Sequence, residues 1–214
     1  MSELAPVVHV VDDDDSMRTA LARLLTAAGY AVRGYPSAGA MLLAPPCDDP
    51  GCIVLDIRMP GPSGLELQEA LRKREDQLPI VFLTGHGDVP TSVRAMKAGA
   101  VDFLTKPVQR DALLSAVASA VQRDAARREI HHSRDALRKR YAALTARERD
   151  VFARIVVGRL NKQIAAELGT AERTVKAHRA HVMQKMQAAS VAELVHFADE
   201  LRGVAGSQPA DGTC

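Results

Sequence analysis

Apolar positions along the first 120 residues alternate between two periods. Short β-branched or leucine-rich runs occur at 7–12 (VVHVVD), 31–35 (AVRGY), 52–56 (CIVLD), 80–84 (IVFLT) and 101–105 (VDFLT). Each is too short for a helix and reads as a strand. Between and after them the period lengthens. In SMRTALARLLTAAG (16–29) Leu21, Leu24, Leu25 and Ala28 recur at helical spacing, and Gly29 suits a left-handed C-cap. Further helices are expected at 37–44, 64–74, 91–98 and 110–121. Five β/α units in succession predict an open, doubly wound parallel sheet with helices on both faces.

The pattern then changes. Residues 108–140 read as a helix that outlasts the first domain, with Leu113, Val117 and Val121 as its apolar stripe before charge dominates. Ile130, Leu137 and Leu144 recur at sevens, which leaves two readings: a short two-stranded coil or a solvated bridging helix. His131 and His132 are adjacent, so they diverge around a helix and cannot share a metal. Beyond them only helices are expected. Thr145 with Glu148 and Ser190 with Glu193 form capping boxes, and Gly158 and Gly169 mark stops. Two helices, 161–168 and 171–187, flank the turn at Gly169, and Ala165 is small enough to pack near Val175. That is a helix-turn-helix, its core recognition segment falling at 161–180.

Composition adds one division. The 214-residue chain carries a net +2, but residues 1–122 hold 15 Asp and Glu against 11 Lys and Arg, a net −4, and the remainder carries +6. An acidic half joined to a basic half implies two domains, the second facing an anionic partner such as nucleic acid. The amino terminus has no basic or apolar leader and no run is long enough for a bilayer, so a cytoplasmic protein without membrane contact is expected. Cys47, Cys52 and Cys214 form no metal or disulfide pattern and read as incidental thiols.

The stretch HVVDDDDSMR (9–18) raises the first chemical question, because four adjacent carboxylates repel one another unless a cation or a helix end absorbs the charge. A solvated acidic loop is the plain alternative. In an open parallel sheet, ligands collect beyond the carboxyl ends of the strands. At those ends stand Asp12 and Asp13, Asp56, Thr84, and the pair Lys106–Pro107. Three carboxylates suit Mg²⁺, while the lysine and hydroxyl suit phosphoryl oxygens. Asp56 is then the candidate phosphoacceptor, followed by a Pro- and Gly-rich loop with room for a phosphoryl group. Taken singly, Asp56, Thr84 and Lys106 could be a strand end, a turn residue and a surface amine. Asp14 and Asp15 fit the start of the following helix, where a carboxylate caps free N–H groups.

The motifs VVDDD, VLDIRMPGPSG, FLTGHGD and AMKAGAVDFLTKPV resemble the receiver domain of two-component response regulators across residues 7–122. The resemblance implies a flavodoxin/CheY-like fold and direct Mg²⁺ ligation by Asp13, Asp56 and the backbone carbonyl of Arg58, with Asp12 acting through water. It further implies phosphorylation of Asp56 by a sensor histidine kinase, contacts from Lys106 and Thr84 to the phosphoryl group, and a cis peptide before Pro107. Phe103 would change rotamer on activation, although a plain core phenylalanine fits the sequence equally. Residues 144–201, with LTARERDV, NKQIAAELG and TVKAHRAHVMQKM, resemble the LuxR-type DNA-binding domain. The pairing resembles the NarL/FixJ family, in its FixJ-like branch.

The second helix of the motif should bury Val175, Val182 and Met186 and expose a basic surface. Arg173, Thr174, Lys176, His178, Arg179 and Lys185 are the candidate DNA contacts. Ala177 and Ala180 stand where bulkier residues are often found, so base preference is not inferable. The expected organisation is a receiver (1–122), a helical linker (123–140), the DNA-binding domain (141–205) and a disordered tail (206–214). Expected partners are the kinase, paired half-sites on double-stranded DNA, RNA polymerase, and a second copy of the chain upon phosphorylation. Two other classes compete. VVDDDDSM loosely matches the opening of haloacid-dehalogenase-like phosphatases, with Asp12 as nucleophile and Asp14 as acid, but the adjacent pair Asp48–Asp49 lies in a Pro-rich loop. TGHGD contains G-x-G, yet it lacks the third glycine and is not the first turn of the sheet.

Overall fold

The computed structural model describes residues 5–45, 49–74, 78–85 and 89–205. Cys47, Asp48, residues 86–88 of TGHGD, and the tail 206–214 with Cys214 lie outside these residues. The chain falls into two compact units that divide between Arg128 and Glu129.

The first unit alternates strands and helices: β1 (Val7–Val11), α1 (Asp15–Ala27), β2 (Ala31–Tyr35), α2 (Ala38–Leu43), β3 (Gly51–Asp56), α3 (Gly64–Lys73), β4 (Ile80–Thr84), α4 (Val89–Lys97) and β5 (Asp102–Thr105). All five strands are parallel, in the order β2-β1-β3-β4-β5. Side-chain alternation divides the central strands between two cores. Ile53, Leu55, Ile80 and Phe82 pack with Met41, Leu67 and Leu71 of α2 and α3 and Ala95 of α4. Cys52, Val54, Val81 and Leu83 pack on the other face with Leu21 and Leu25 of α1 and Leu113 and Val117. The outer strand β2 has no buried position, as expected of a sheet edge.

Leu113 and Val117 belong to α5 (Arg110–Ala142), a 33-residue helix that begins in the first unit and ends in the second. It is longer than the expected 108–140 segment at its end and starts two residues later. The heptad spacing has a different cause from a coiled coil. Leu137 and Leu144 are buried in the core of the second unit, whereas Ile130 is 53 % exposed. Two of the three repeat positions are therefore occupied within the chain itself.

The second unit adds α6 (Ala146–Ile155), α7 (Asn161–Glu167), α8 (Glu172–Met186) and α9 (Val191–Ala205). Val151, Phe152, Ile155, Ile164, Val175, Val182, Met186 and Leu194 form its core. Gly169, at φ +62, makes the turn between α7 and α8 in a conformation that costs glycine little. The Thr145–Glu148 capping box is complete, with Thr145 N–H donating to Glu148 Oε2 at 2.8 Å. At α9 Ser190 Oγ accepts from Glu193 N–H, while the Glu193 carboxylate accepts from Ala189 N–H instead of Ser190 N–H.

Glu148 carries more than a cap. Its carboxylate, buried within the second unit, accepts from Lys185 Nζ at 2.7 Å, and Lys185 also donates to the Ala143 carbonyl at 3.3 Å. The Lys185 hydrogen bond, reinforced by the Thr145 N–H, lowers its pKa from the ordinary 4.5 to about 2. A depressed pKa stabilises the fold above pH 4.5 and loses that contribution as pH falls towards 2. Glu148→Gln should therefore lower the unfolding temperature of this unit at pH 7, and the gap from wild type should close between pH 4.5 and 2 in scanning calorimetry. A gap that stays constant across that range would remove the ion pair from the account.

Candidate functional site

The reversal of strand order falls beside β1, whose neighbours β2 and β3 lie on opposite sides of it. Crevices form at such reversals, beyond the carboxyl ends of the strands. Val11 pairs with Leu55, so Asp12 and Asp56, the next residues on each strand, emerge side by side. Ligand oxygens of Asp12, Asp13 and Asp56 all lie within 4.8 Å of one another. Asp12 and Asp56 are buried and Asp13 is exposed. This donor set fits a hard divalent cation: it is all oxygen, and Asp13 opens to solvent, where such an ion retains water.

Each carboxylate is oriented by its neighbourhood. Asp12 Oδ1 accepts from Asp14 N–H at 2.9 Å and Asp56 Oδ1 from Arg58 N–H at 3.1 Å. That leaves the Oδ2 atoms, and Lys106 Nζ sits 2.6 Å from both. Burial disfavours the Lys106 ammonium, but its hydrogen bonds to Asp12 and Asp56 outweigh that penalty and raise its pKa above the usual lysine value. Lys106 is placed by its own backbone, since its N–H donates to the Thr84 carbonyl at 2.6 Å; the Lys106–Pro107 peptide that follows is cis. Thr84 is buried at the end of β4, in register with Thr105. Phe103 is half-buried on β5, in register with Phe82, and packs against the core that carries α2 to α4.

The run of four aspartates divides by position. Asp14 is the N-cap of α1 and accepts from the N–H groups of Ser16 and Met17. Asp15 opens the helix and pairs with Arg18. This removes the phosphatase alternative on physical grounds, because the residue needed as general acid is committed to capping a helix. Arg18 was not anticipated from sequence. Its Nη1 donates to the Asp12 carbonyl at 2.6 Å, so it braces the loop that presents the carboxylates. Its one local signal is the three-residue spacing from Asp15.

Behind Asp56 the chain passes very close to itself. A Cβ on Gly64 would lie 2.4 Å from the Asp56 carbonyl oxygen and 3.0 Å from Ile57 Cα. Backbone cannot yield as a side chain can, so Gly64→Ala should destabilise the first unit by about 1–3 kcal/mol. Calorimetry measures this directly; an unchanged unfolding temperature would mean that the strand end moves freely.

The second unit presents a different surface. On α8, Arg173 and Lys176 are exposed, whereas Thr174, His178 and Arg179 are half-buried. Arg179 donates to Asn161 Oδ1 at 3.2 Å and so joins α8 to the start of α7. Lys185 is engaged with Glu148 and Ala143, away from the Arg173–Lys176 surface pair, because a buried carboxylate holds its ammonium. Among the described residues no helix is long and apolar enough to cross a membrane.

Comparison with known proteins covers both units. The response regulator receiver domain model matches residues 8–118, and that of the bacterial regulatory proteins of the luxR family matches residues 142–198. The transcriptional regulatory protein FixJ of Azorhizobium caulinodans is 48% identical over 211 residues, spanning 99% of this chain and 98% of its own length. Nodulation protein W of Bradyrhizobium diazoefficiens is 47% identical over 195 residues, or 91% and 86% of the two chains. The solved structure of the response regulator StyR is 48% identical with a TM-score of 0.84, covering 92% of this chain and 100% of its own. The Asp56–Lys106 pair at the head of a doubly wound sheet and the helix-turn-helix that follows thus stand in a known frame: the chain belongs to the response regulators of the NarL/FixJ type, a receiver domain followed by a LuxR-type DNA-binding domain.

Proposed function

We propose that this response regulator accepts a phosphoryl group on Asp56 from a sensor histidine kinase and thereby switches its DNA binding. The observation that carries the reading is the Lys106 ammonium 2.6 Å from both Asp56 and Asp12. In the transfer an Asp56 carboxylate oxygen attacks phosphorus, an O–P bond forms, and the P–N bond of a phosphohistidine breaks. Lys106 and Thr84 then hold phosphoryl oxygens. Asp13, Asp56 and the Arg58 carbonyl would hold Mg²⁺ directly and Asp12 through water; the ion supplies charge neutralisation at the phosphoryl oxygens.

In this reading residues 1–122 are the receiver, 123–140 the connecting helix and 141–205 the DNA-binding domain. Arg173, Thr174, Lys176, His178, Arg179 and Lys185 make up the DNA face, to which Lys185, ion-paired with Glu148, contributes least. Drawing Thr84 and Lys106 towards the phosphoryl group favours one arrangement of Phe103 and exposes a self-complementary surface that runs over α4, β5 and the start of α5. The chain then acts in the cytoplasm as a twofold dimer on paired half-sites, where it meets RNA polymerase.

Sedimentation with and without beryllofluoride tests the switch. A monomer that becomes a dimer, with DNA affinity raised 5- to 150-fold over the usual coupling range of about 1–3 kcal/mol, is the expected result. A rise in affinity without a change in mass would replace dimerisation by relief of an inhibitory contact. No change in either would make DNA binding independent of phosphorylation.

A further inference from the structure

At the end of the sheet opposite Asp56 lies a charged cluster that phosphoryl chemistry does not use. Asp124, on α5, has no solvent exposure. Its Oδ2 accepts from the N–H of Gly51, the first residue of β3, at 3.0 Å and from Arg128 Nε at 2.6 Å. Its Oδ1 accepts from Arg127 Nη2 at 2.7 Å. Arg128 Nη2 reaches on to the Asp49 carbonyl at 2.8 Å. Burial opposes the charge, yet the two guanidinium groups and the Gly51 N–H outweigh it and keep the Asp124 pKa below the usual carboxylate value.

A buried carboxylate with this many donors is costly to disturb, because removing it leaves a backbone N–H and two guanidinium groups to be satisfied anew. The receiving strand is also closely flanked at that point. A Cβ on Gly51 would lie 1.9 Å from the Val7 carbonyl oxygen, so no side chain fits on β3 where Asp124 attaches. Composition gives no sign of this. Residues 122–128 read QRDAARR, a solvated charged run, and an acid three and four residues before two arginines is the spacing of an ordinary surface pair on a helix.

We infer that Asp124 is the residue by which the receiver grips the connecting helix: its clasp on Gly51 makes α5 part of the receiver as far as Arg128, and a change at the phosphorylation site reaches the connector through that grip. Strand β3 joins the two ends. It begins at the Gly51 N–H held by Asp124 and ends at Asp56, about 17 Å away at ~3.3 Å per residue. Asp124 is the one fully buried residue of 123–128, and three of its donors, the Gly51 N–H and the Arg127 and Arg128 guanidinium groups, depend on its carboxylate. The inference rests on the phosphorylation switch proposed above, and two independent readouts separate the failure of one from that of the other.

Limited trypsin digestion of the full chain reads the clasp itself, since Arg123, Arg127 and Arg128 are cleavage sites inside it. Asp124→Asn should raise cleavage there about ten-fold or more, as the open form becomes populated, with cleavage at Lys139 and Arg140 as the internal reference. Arg128→Met, which keeps the carboxylate, should give a smaller rise. Labelling of Asp56 by acetyl phosphate should match wild type in both variants, which also certifies a folded receiver. The phosphorylation-dependent gain in DNA affinity should fall towards one-fold in Asp124→Asn. Unchanged cleavage in both variants would overturn the clasp. Raised cleavage with the full gain in DNA affinity retained would overturn its role in coupling and leave a structural contact. A wild-type chain that shows no gain on phosphorylation would overturn the switch reading, while the cleavage rates would still decide the clasp.

Discussion

Asp56→Asn is expected to abolish phosphorylation: with acetyl phosphate and Mg²⁺ the wild-type chain should gain one phosphoryl group and the variant none. The loss should be complete because the neighbouring carboxylates are poor substitutes for Asp56. Asp12 is held much as Asp56 is, by Asp14 N–H and by Lys106 Nζ, but its side chain is only 1 % exposed against 8 % for Asp56, which leaves it the less open to an incoming phosphoryl group. Asp13 is exposed, so no buried strand end fixes its line of attack. Asp56 combines a buried strand end, one oxygen fixed by Arg58 N–H, and the other facing the Lys106 ammonium. An amide is isosteric but a far weaker nucleophile than a carboxylate. Intact mass spectrometry measures the outcome. A full adduct on the Asn variant would sink the assignment of Asp56, and labelling that persists in EDTA would sink the metal.

The second large effect is expected at the DNA face. Lys176→Ala should cost about 1–3 kcal/mol at a specific site and less on random DNA. Val175, Val182 and Met186 point α8 inward, which turns Arg173 and Lys176 to solvent. Lys185 is occupied by a buried carboxylate and Arg179 by Asn161, so alanine at either position should cost less than at Lys176. Arg173 stands at the second position of α8, where a cation is well placed to meet the phosphate backbone. Arg173→Ala should therefore weaken binding to all sequences alike and lower the salt slope by about 1. Fluorescence anisotropy at several salt concentrations separates the two roles. Equal losses at specific and random sites for Lys176→Ala would make it a phosphate contact, and unchanged binding would remove α8 from the interface.

Much of this protein is legible in its sequence. Strand and helix periods alone gave an alternating α/β half, because a parallel sheet covered on both faces demands short apolar strands and amphipathic helices in alternation. The rule that strand ends gather at one edge then brought Asp12, Asp13, Asp56, Thr84 and Lys106 into one region. Capping residues were equally readable, since Asp14, Thr145 and Ser190 act on N–H groups within three residues of themselves. Local rules work where both partners are local.

What lay beyond reach was every interaction whose partners are distant in sequence and unremarkable in type. The heptad leucines Leu137 and Leu144 fit a coil or a core equally well, and only the packing of α6 to α9 assigned them to the core. The ion pair of Lys185 with Glu148, 37 residues earlier, leaves no trace in the spacing of either residue. Asp124 looked solvated until its neighbour proved to be Gly51, 73 residues away. The sequence by itself determined the order of elements, the two-domain plan and the acidic site, because periodicity and strand-end placement are properties of the chain. Tertiary structure alone decided which charges are spent on holding the fold, because burial and pairing depend on the elements that fold over each group.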